Sequence, residues 1–395
     1  MEFSPWPNFE EDEIQSAVNV LKTGKVNQWT GHEVGLFEKE FGDYTGTHYA
    51  VALANGSLAL DLALEALDVG RGDEVIVTPR SFLASVSCVC LRGAVPVFVD
   101  VDLESQNITA ENIELAVTDK TKAIVAVNLA GWPCEISEIL EICRYNGIGL
   151  VEDCAQSHGA STKKVKVGSM GDVGVFSFCQ DKIMTTGGEG GLLVTNNKNI
   201  RDRVWSYKDH GKDFKESTSS QSSGSIFKWL AKSFGTNCRM TEMQAAIGRK
   251  QLKKLDKWID KRRYYAELFN QSFSKLPGLR TTIPPKHIYH SYYKYYVFVR
   301  PDALKTGWPV FKILDALREK GIFCNSGICP EIYRERAFHN YPFRVVASGK
   351  KVKRLPNARL LGKTSMMFQV HPTLTTKHIE YMIDQVEDVL TRAVR

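Results

Sequence analysis

Between residue 49 and about 200, short and almost continuously apolar runs alternate with stretches in which apolar residues recur every three or four positions. The runs at 51–54, 74–78, 95–99, 123–127, 147–151 and 173–178 read as strands buried on both faces. The stretches at 57–67, 82–91 and 136–145 read as the helices between them. Strands alternating with helices imply an α/β fold, a mostly parallel central sheet with helices on both faces. Ligands in such sheets lie beyond the carboxyl ends of the strands, so the residues that follow each run are where chemistry belongs.

The pattern breaks at 213–235, a long loop with a Ser-rich stretch at 217–225. Leu252, Leu255 and Ile259 then mark a long helix over about 240–270 that leads out of the sheet domain. A smaller α+β domain follows, with a strand at 292–300, a helix at 310–320, and a last helix carrying Ile379, Met382, Ile383, Val386 and Leu390 on one face. The first 45 residues read as helical, with Ile14, Val18 and Leu21 on the packing side. The expected division is an N-terminal helical segment, 1–45, packed on the smaller domain; a large α/β domain, 46–250; and a connecting helix with the small C-terminal domain, 251–395.

Composition fits this reading without sharpening it: of 395 residues, 43% are hydrophobic and 24% charged. Lys and Arg number 51 against 45 Asp and Glu, a net +6 spread along the chain, too weak a bias to imply nucleic acid. The clusters at 163–166 and 350–354 read as solvated surface. No apolar run approaches the length of a membrane span and the start has no secretory pattern, so a cytoplasmic protein without a membrane partner is expected. Nine cysteines without a Cys-x-x-Cys pair imply neither a disulfide framework nor a metal site.

Two motifs can be set aside. Gly362-Lys363-Thr364 resembles the end of a phosphate loop, but that pattern needs glycine where Asn357 stands. Glycines 168, 171 and 174 do not have dinucleotide spacing, which argues against a nicotinamide enzyme. Three strand ends remain. Asp153, with Gln156 and His158 after it, is either a cap or an electrostatic partner for a ligand. Lys182 precedes a glycine-rich turn, 187–191, that lets backbone approach from the side the lysine faces. Asn55-Gly56-Ser57 opens a helix, and its free N–H groups and hydroxyl form either an anion site or a plain cap.

In order and spacing these segments, with Phe176-Ser177-Phe178 and Asn237-Cys238-Arg239-Met240, resemble the DegT/DnrJ/EryC1/StrS family of pyridoxal-phosphate (PLP) sugar aminotransferases, of fold type I in the aspartate aminotransferase superfamily. The resemblance runs over nearly the whole chain and is densest between 45 and 255. It implies that Lys182 binds PLP covalently and shuttles a proton, while Asp153 keeps the pyridine nitrogen protonated. It further implies that Gly56, Ser57 and Ser177 hold the phosphate, Gln156 contacts the ring, and Phe82 stacks on it or is ordinary core. Asn237 would reach the phosphate of a partner subunit, which makes the protein a homodimer with shared sites. His158 and Arg239 are assigned weaker parts, in pocket shape and in subunit or substrate contact.

The resemblance also implies amino transfer from glutamate to a keto sugar for surface polysaccharide, with PLP cycling through pyridoxamine phosphate. Three departures bear on the acceptor: Asn128 where the family often has His, Met367-Phe368-Gln369 in place of the usual Leu-Pro, and Asn325-Ser326-Gly327-Ile328-Cys329-Pro330. They leave open a nucleotide-linked keto-deoxyhexose or a keto-sugar acid such as 8-oxo-3-deoxy-manno-octulosonate. The alternatives are a sugar dehydratase of the same fold, in which His replaces the lysine, and a non-catalytic PLP-binding regulator.

Overall fold

The computed structural model of the chain describes residues 1–218 and 229–395. Nine strands form the main sheet. Five of them lie parallel at its centre in the order Val173–Ser177, Gly149–Asp153, Thr121–Val127, Glu74–Val77 and Val95–Val99. Gly191–Thr195 and Tyr49–Leu53 extend one side antiparallel. Every residue of Glu74–Val77, Val173–Ser177 and Gly191–Thr195 is buried, as sheets covered on both faces require.

At the other edge, Arg344–Ala347 runs parallel to Val95–Val99 and pairs with the short Lys350–Lys351. The chain thus returns to the first sheet after building a second one. That second sheet is antiparallel, in the order Leu279–Thr281, Tyr295–Val299, Ser365–Phe368 and Cys324–Asn325. Its core includes Phe269, Phe273, Tyr295, Phe368 and Val386.

One helix joins the two cores. Glu242–Phe273 starts at Thr241, whose hydroxyl accepts from Gln244 N–H (3.3 Å) while Gln244 Oε1 accepts from Thr241 N–H (2.9 Å), a reciprocal cap. Leu255 and Ile259 pack with Phe178 and Leu192, whereas Tyr265, Phe269 and Phe273 belong to the second core. Two N-terminal helices, Glu11–Thr23 and Glu33–Thr45, lie against it. In the first of these the packing side differs from expectation: Ile14 and Leu21 are exposed, and Glu13, Ser16 and Val20 are buried. Lys254 is the reason, because its Nζ meets Glu10 (2.8 Å), Asp12 (2.6 Å) and Glu13 (3.5 Å), so charge rather than an apolar stripe orients the helix.

A second difference places the chemistry. The strand expected at 147–151 runs instead from Gly149 to Asp153, ending on the carboxylate itself. Glu152 holds it there: its buried carboxylate accepts N–H groups from Gly168, Met170 and Gly171 at 2.8–2.9 Å. Among the described residues, no helix is long and apolar enough to cross a membrane.

Close backbone approach fixes where the strand ends meet. A Cβ on Gly191 would lie 2.2 Å from the carbonyl oxygen of Asn55, and backbone cannot yield there. Gly191→Ala should therefore lower stability by about 2–4 kcal/mol in urea unfolding. Gly35→Ala, on an exposed helix position with open space around it, should be neutral or raise stability by up to about 1 kcal/mol.

Candidate active site

Asp153 is 3% exposed, at the centre of the sheet's carboxyl edge. Its Oδ2 accepts from Ser85 Oγ (2.7 Å), and Ser85 Oγ in turn lies 2.9 Å from Ser81 Oγ. Its Oδ1 accepts from Ala155 N–H (3.1 Å). Burial raises its pKa, against the lowering effect of Ser85, the Ala155 N–H and Lys182. No lysine or arginine forms an ion pair with it among the described residues. A buried carboxylate without a cation is costly, and the cost falls when a cationic ligand arrives.

Three strand positions away, after Tyr49–Leu53, the helix Gly56–Ala66 begins. Asn55 caps it, accepting Leu58 N–H at 2.9 Å. A Cβ on Gly56 would fall 2.6 Å from that of Ser177, so the start of the helix and the end of Val173–Ser177 touch only because Gly56 has no side chain. Ser57 is exposed at this helix start. Helix N–H groups, the Ser57 hydroxyl and Ser177 thus converge on one point, the arrangement that binds phosphate.

Lys182 stands in the turn after Ser177, with its backbone N–H bonded to Cys179 O (3.1 Å). Its carbonyl accepts from the Trp6 indole (2.8 Å). Its Nζ lies 3.9 Å from Asp181 Oδ1 and 5.0 Å from the centroid of the Tyr293 ring. The glycine-rich turn behind it is tied by Thr185, whose N–H reaches Gln251 Oε1 (2.7 Å) and whose hydroxyl donates to Phe178 O (2.9 Å).

The fold brings most of the sequence-derived candidates to this edge. Phe82, one residue from Ser81, is 63% exposed, so it is not core. Gln156 turns its carbonyl oxygen to Ala130 N–H (3.0 Å) and braces a residue with positive φ, 55°. Asn237 is exposed beside the antiparallel edge, its Oδ1 accepting from Arg239 N–H (3.2 Å), while Cys238 O accepts from Ala54 N–H (2.9 Å). Arg239 is committed to Asp209 at 2.9 Å. Of the Ser-rich stretch, positions 219–225 lie outside the described residues.

His158 is fully buried against the rings of Phe176 and Phe178. Burial first, and then the Lys182 charge, bring its pKa down to about 3, opposed by the nearby Ser177 backbone, which falls short of a hydrogen bond. Sequence reasoning did not single out Ser85, Arg80, Arg262, Tyr293 or Lys294. Ser85 had a usable signal, one helical turn beyond Ser81. The others are brought in by tertiary packing alone.

These residues fit PLP. Asp153 can face a pyridinium N–H, the Gly56–Ser57–Ser177 corner suits a phosphate, and Lys182, 15% exposed in the turn after Ser177, supplies an amine.

Comparisons with known proteins agree. The model of the DegT/DnrJ/EryC1/StrS aminotransferase family matches residues 7–387. The crystal structure of the aminotransferase from Psychrobacter cryohalolentis is 45% identical, with a TM-score of 0.94 over 99% of each chain. GDP-perosamine synthase of Escherichia coli O157:H7 is 31% identical over 358 residues, 91% of this chain and 90% of that protein. The dTDP-3-amino-3,6-dideoxy-alpha-D-galactopyranose transaminase of Aneurinibacillus thermoaerophilus is 36% identical over 287 residues, 71% and 74% of the two chains.

His158 makes stability depend on acid. Its folded pKa lies below the ordinary 6.5, so between about pH 6.5 and 3 the unfolded chain binds a proton that the folded chain does not. Stability falls as pH falls through that window, by roughly 2 kcal/mol from this group between about pH 7.5 and 5. His371, also held near 3, adds to the same slope. His158→Leu should therefore unfold in urea with a shallower pH dependence than wild type. Equal slopes would mean that the imidazole keeps its ordinary pKa.

Proposed function

The chain belongs to the DegT/DnrJ/EryC1/StrS aminotransferase family and is a PLP-dependent transaminase, and on that premise we propose that it moves an amino group from glutamate to a nucleotide-linked keto sugar used in surface polysaccharide. Lys182 in the turn after Ser177, with the buried Asp153 close enough for its charge to be felt, is the observation that carries the chemistry. When bound, PLP supplies an electron sink for the pair left at the donor carbon once its proton departs. The protein's residues supply the rest.

Asp153 would hold a proton on the pyridine nitrogen by charge, and Ser85 with the Ala155 N–H keeps that carboxylate aimed. Lys182 would hold the cofactor covalently and then, as a freed amine, carry a proton from the donor carbon to the adjoining position. The Gly56–Ser57–Ser177 corner would anchor the phosphate, and Phe82, 63% exposed, would be free to cover the ring. Asn237 completes the phosphate site of a second subunit, so the working unit is a homodimer, placed in the cytoplasm.

The nucleotide-linked acceptor rests on the names of the two relatives, one a GDP and one a dTDP sugar enzyme. One observation favours a keto-sugar acid as the second reading. Arg80 is fully buried, its Nε bonded to Gln106 Oε1 (2.9 Å) and its guanidinium 5.6 Å from the Tyr296 ring, and both Nη atoms are unpartnered among the described residues. The Tyr296 hydroxyl meets Ile328 N–H (3.0 Å), inside the segment that departs from the family. A carboxylate on the acceptor would satisfy that guanidinium. Lys182 in place of His argues against the dehydratase.

Purified holoenzyme should lose its visible absorbance on adding glutamate and recover it on adding the right keto sugar. GDP- and dTDP-linked 4-keto-6-deoxyhexoses and an 8-oxo sugar acid are the acceptors to compare. Absence of bleaching would point to the non-catalytic regulator. Lys182→Ala should retain PLP without a covalent bond and lose turnover by about three orders of magnitude or more. Borohydride fixation of PLP on a different lysine would overturn the assignment. Mixing Lys182→Ala with Asn237→Asp subunits tests the shared site: hybrids should regain up to about half of wild-type activity, one site of two being intact.

A further inference from the structure

Residues 3–10 cross the seam between the two cores as a strap. The Phe3 ring packs on His378 (centroids 5.2 Å apart) and Tyr381 (6.3 Å), both on the last helix, Thr376–Ala393. Pro5 O accepts from the Thr373 hydroxyl (2.9 Å), which also lies 2.8 Å from His371 Nδ1. Glu10 meets Lys254 on the helix Glu242–Phe273 (2.8 Å). Between these points Trp6 reaches the first core: its indole N–H donates to Lys182 O at 2.8 Å, 176 positions along the chain.

The indole is itself held. Trp258 stands perpendicular to its ring at 5.3 Å, His371 stacks at 6.1 Å, and the Arg262 guanidinium lies 5.3 Å from its centroid. So packed, its N–H has one direction, and the acceptor there is the Lys182 carbonyl. Lys182 lies in a turn outside any helix or strand, so its side chain points where its own backbone groups are held. Its N–H is bonded to Cys179 O (3.1 Å). Among the described residues, Trp6 is the only donor that reaches its carbonyl. Charge does not aim the amine, because Asp181 is shared by Lys182 (3.9 Å), Lys294 (3.7 Å) and the Tyr293 hydroxyl, with the buried Arg262 beside them.

We infer that Trp6 is a positioning residue for Lys182, and that docking of the strap and covalent capture of PLP by Lys182 stabilise each other. This rests on the reading of Lys182 as the lysine that binds PLP. In capture the amine nitrogen adds to the aldehyde carbon of PLP and forms a carbon–nitrogen double bond. The oxygen leaves as water with both protons of the neutral amine, and nothing is oxidised or reduced. The nitrogen must meet that carbon from one direction, so a lysine whose backbone is held at both N–H and carbonyl gives up less freedom on reacting. Whatever docking of the strap contributes to capture, capture returns to the strap.

Trp6→Phe keeps a ring and removes the donor. In calorimetric titrations of the full chain freed of PLP, it should bind PLP about threefold to tenfold more weakly, the worth of one hydrogen bond. Pyridoxamine phosphate has no aldehyde and forms no bond to Lys182, so its affinity should stay within about twofold of wild type. The melting temperature without PLP should fall by no more than about 3 °C. Wild type carries the reciprocal test: PLP should slow amide hydrogen exchange over residues 2–10 by a like factor, and pyridoxamine phosphate should not. Unchanged PLP affinity in Trp6→Phe, an equal loss of affinity for both ligands, or exchange over 2–10 that does not distinguish them would overturn the inference. Borohydride fixation of PLP on another lysine removes the reading of the site instead. Fixation on Lys182 with unchanged PLP affinity in Trp6→Phe removes the strap's part alone.

Discussion

A buried carboxylate that forms no ion pair with a lysine or arginine among the described residues is the constraint on which the rest of this structure turns. Asp153 sits at 3% exposure on the end of the parallel strand Gly149–Asp153, held by one hydroxyl and one backbone N–H. Hydrogen bonds can aim such a group but offset only part of the cost of burying its charge. The sheet bears that cost because its neighbours are tied down: Glu152 locks the strand to the loop at 168–171, and Asn128 N–H bonds to Asp153 O at 3.1 Å. On the proposed function, a cationic ring nitrogen placed against Asp153 would offset that cost.

Around that carboxylate the geometry depends on backbone meeting backbone. Gly191 against Asn55 and Gly56 against Ser177 leave no room for a β carbon, and both contacts fix the start of the helix Gly56–Ala66 against the strand ends. Lys182 belongs to a different kind of construction. It stands where the first core meets the second, with Trp6 from the N-terminal segment on its carbonyl and Tyr293 and Lys294 from the second sheet's entrance around its amine. The helix Glu242–Phe273 connects both cores and carries Arg262 into the same seam. On the proposed function the work would be divided: the first core would hold the cofactor, and the seam would set the charge around the Lys182 amine.

Much of the fold was legible in the sequence, because alternation of apolar runs with 3.6-residue periodicity is a local property. Turn chemistry was equally local, which is why Asn55-Gly56-Ser57 and the glycines after Lys182 could be read as places of close approach. The N-terminal helix shows the limit. Its apolar residues pointed to one side, yet it docks on the other, because Lys254, more than 240 residues away, supplies a charge that Glu10, Asp12 and Glu13 all reach.

The sequence by itself determined the parallel sheet, the order of its strands and helices along the chain, and the types of residue at the strand ends. Those follow from periodicity and from what glycine, asparagine and serine do within a few residues of themselves. Only the tertiary structure decided that Arg344–Ala347 returns to the first sheet, that Ser85 aims Asp153, and that Arg262 and Lys294 crowd Lys182 with more positive charge than Asp181 can balance. Each of these pairs residues far apart in the chain, and such contacts leave no local pattern because the energy that selects them exists only once the two cores have closed on each other.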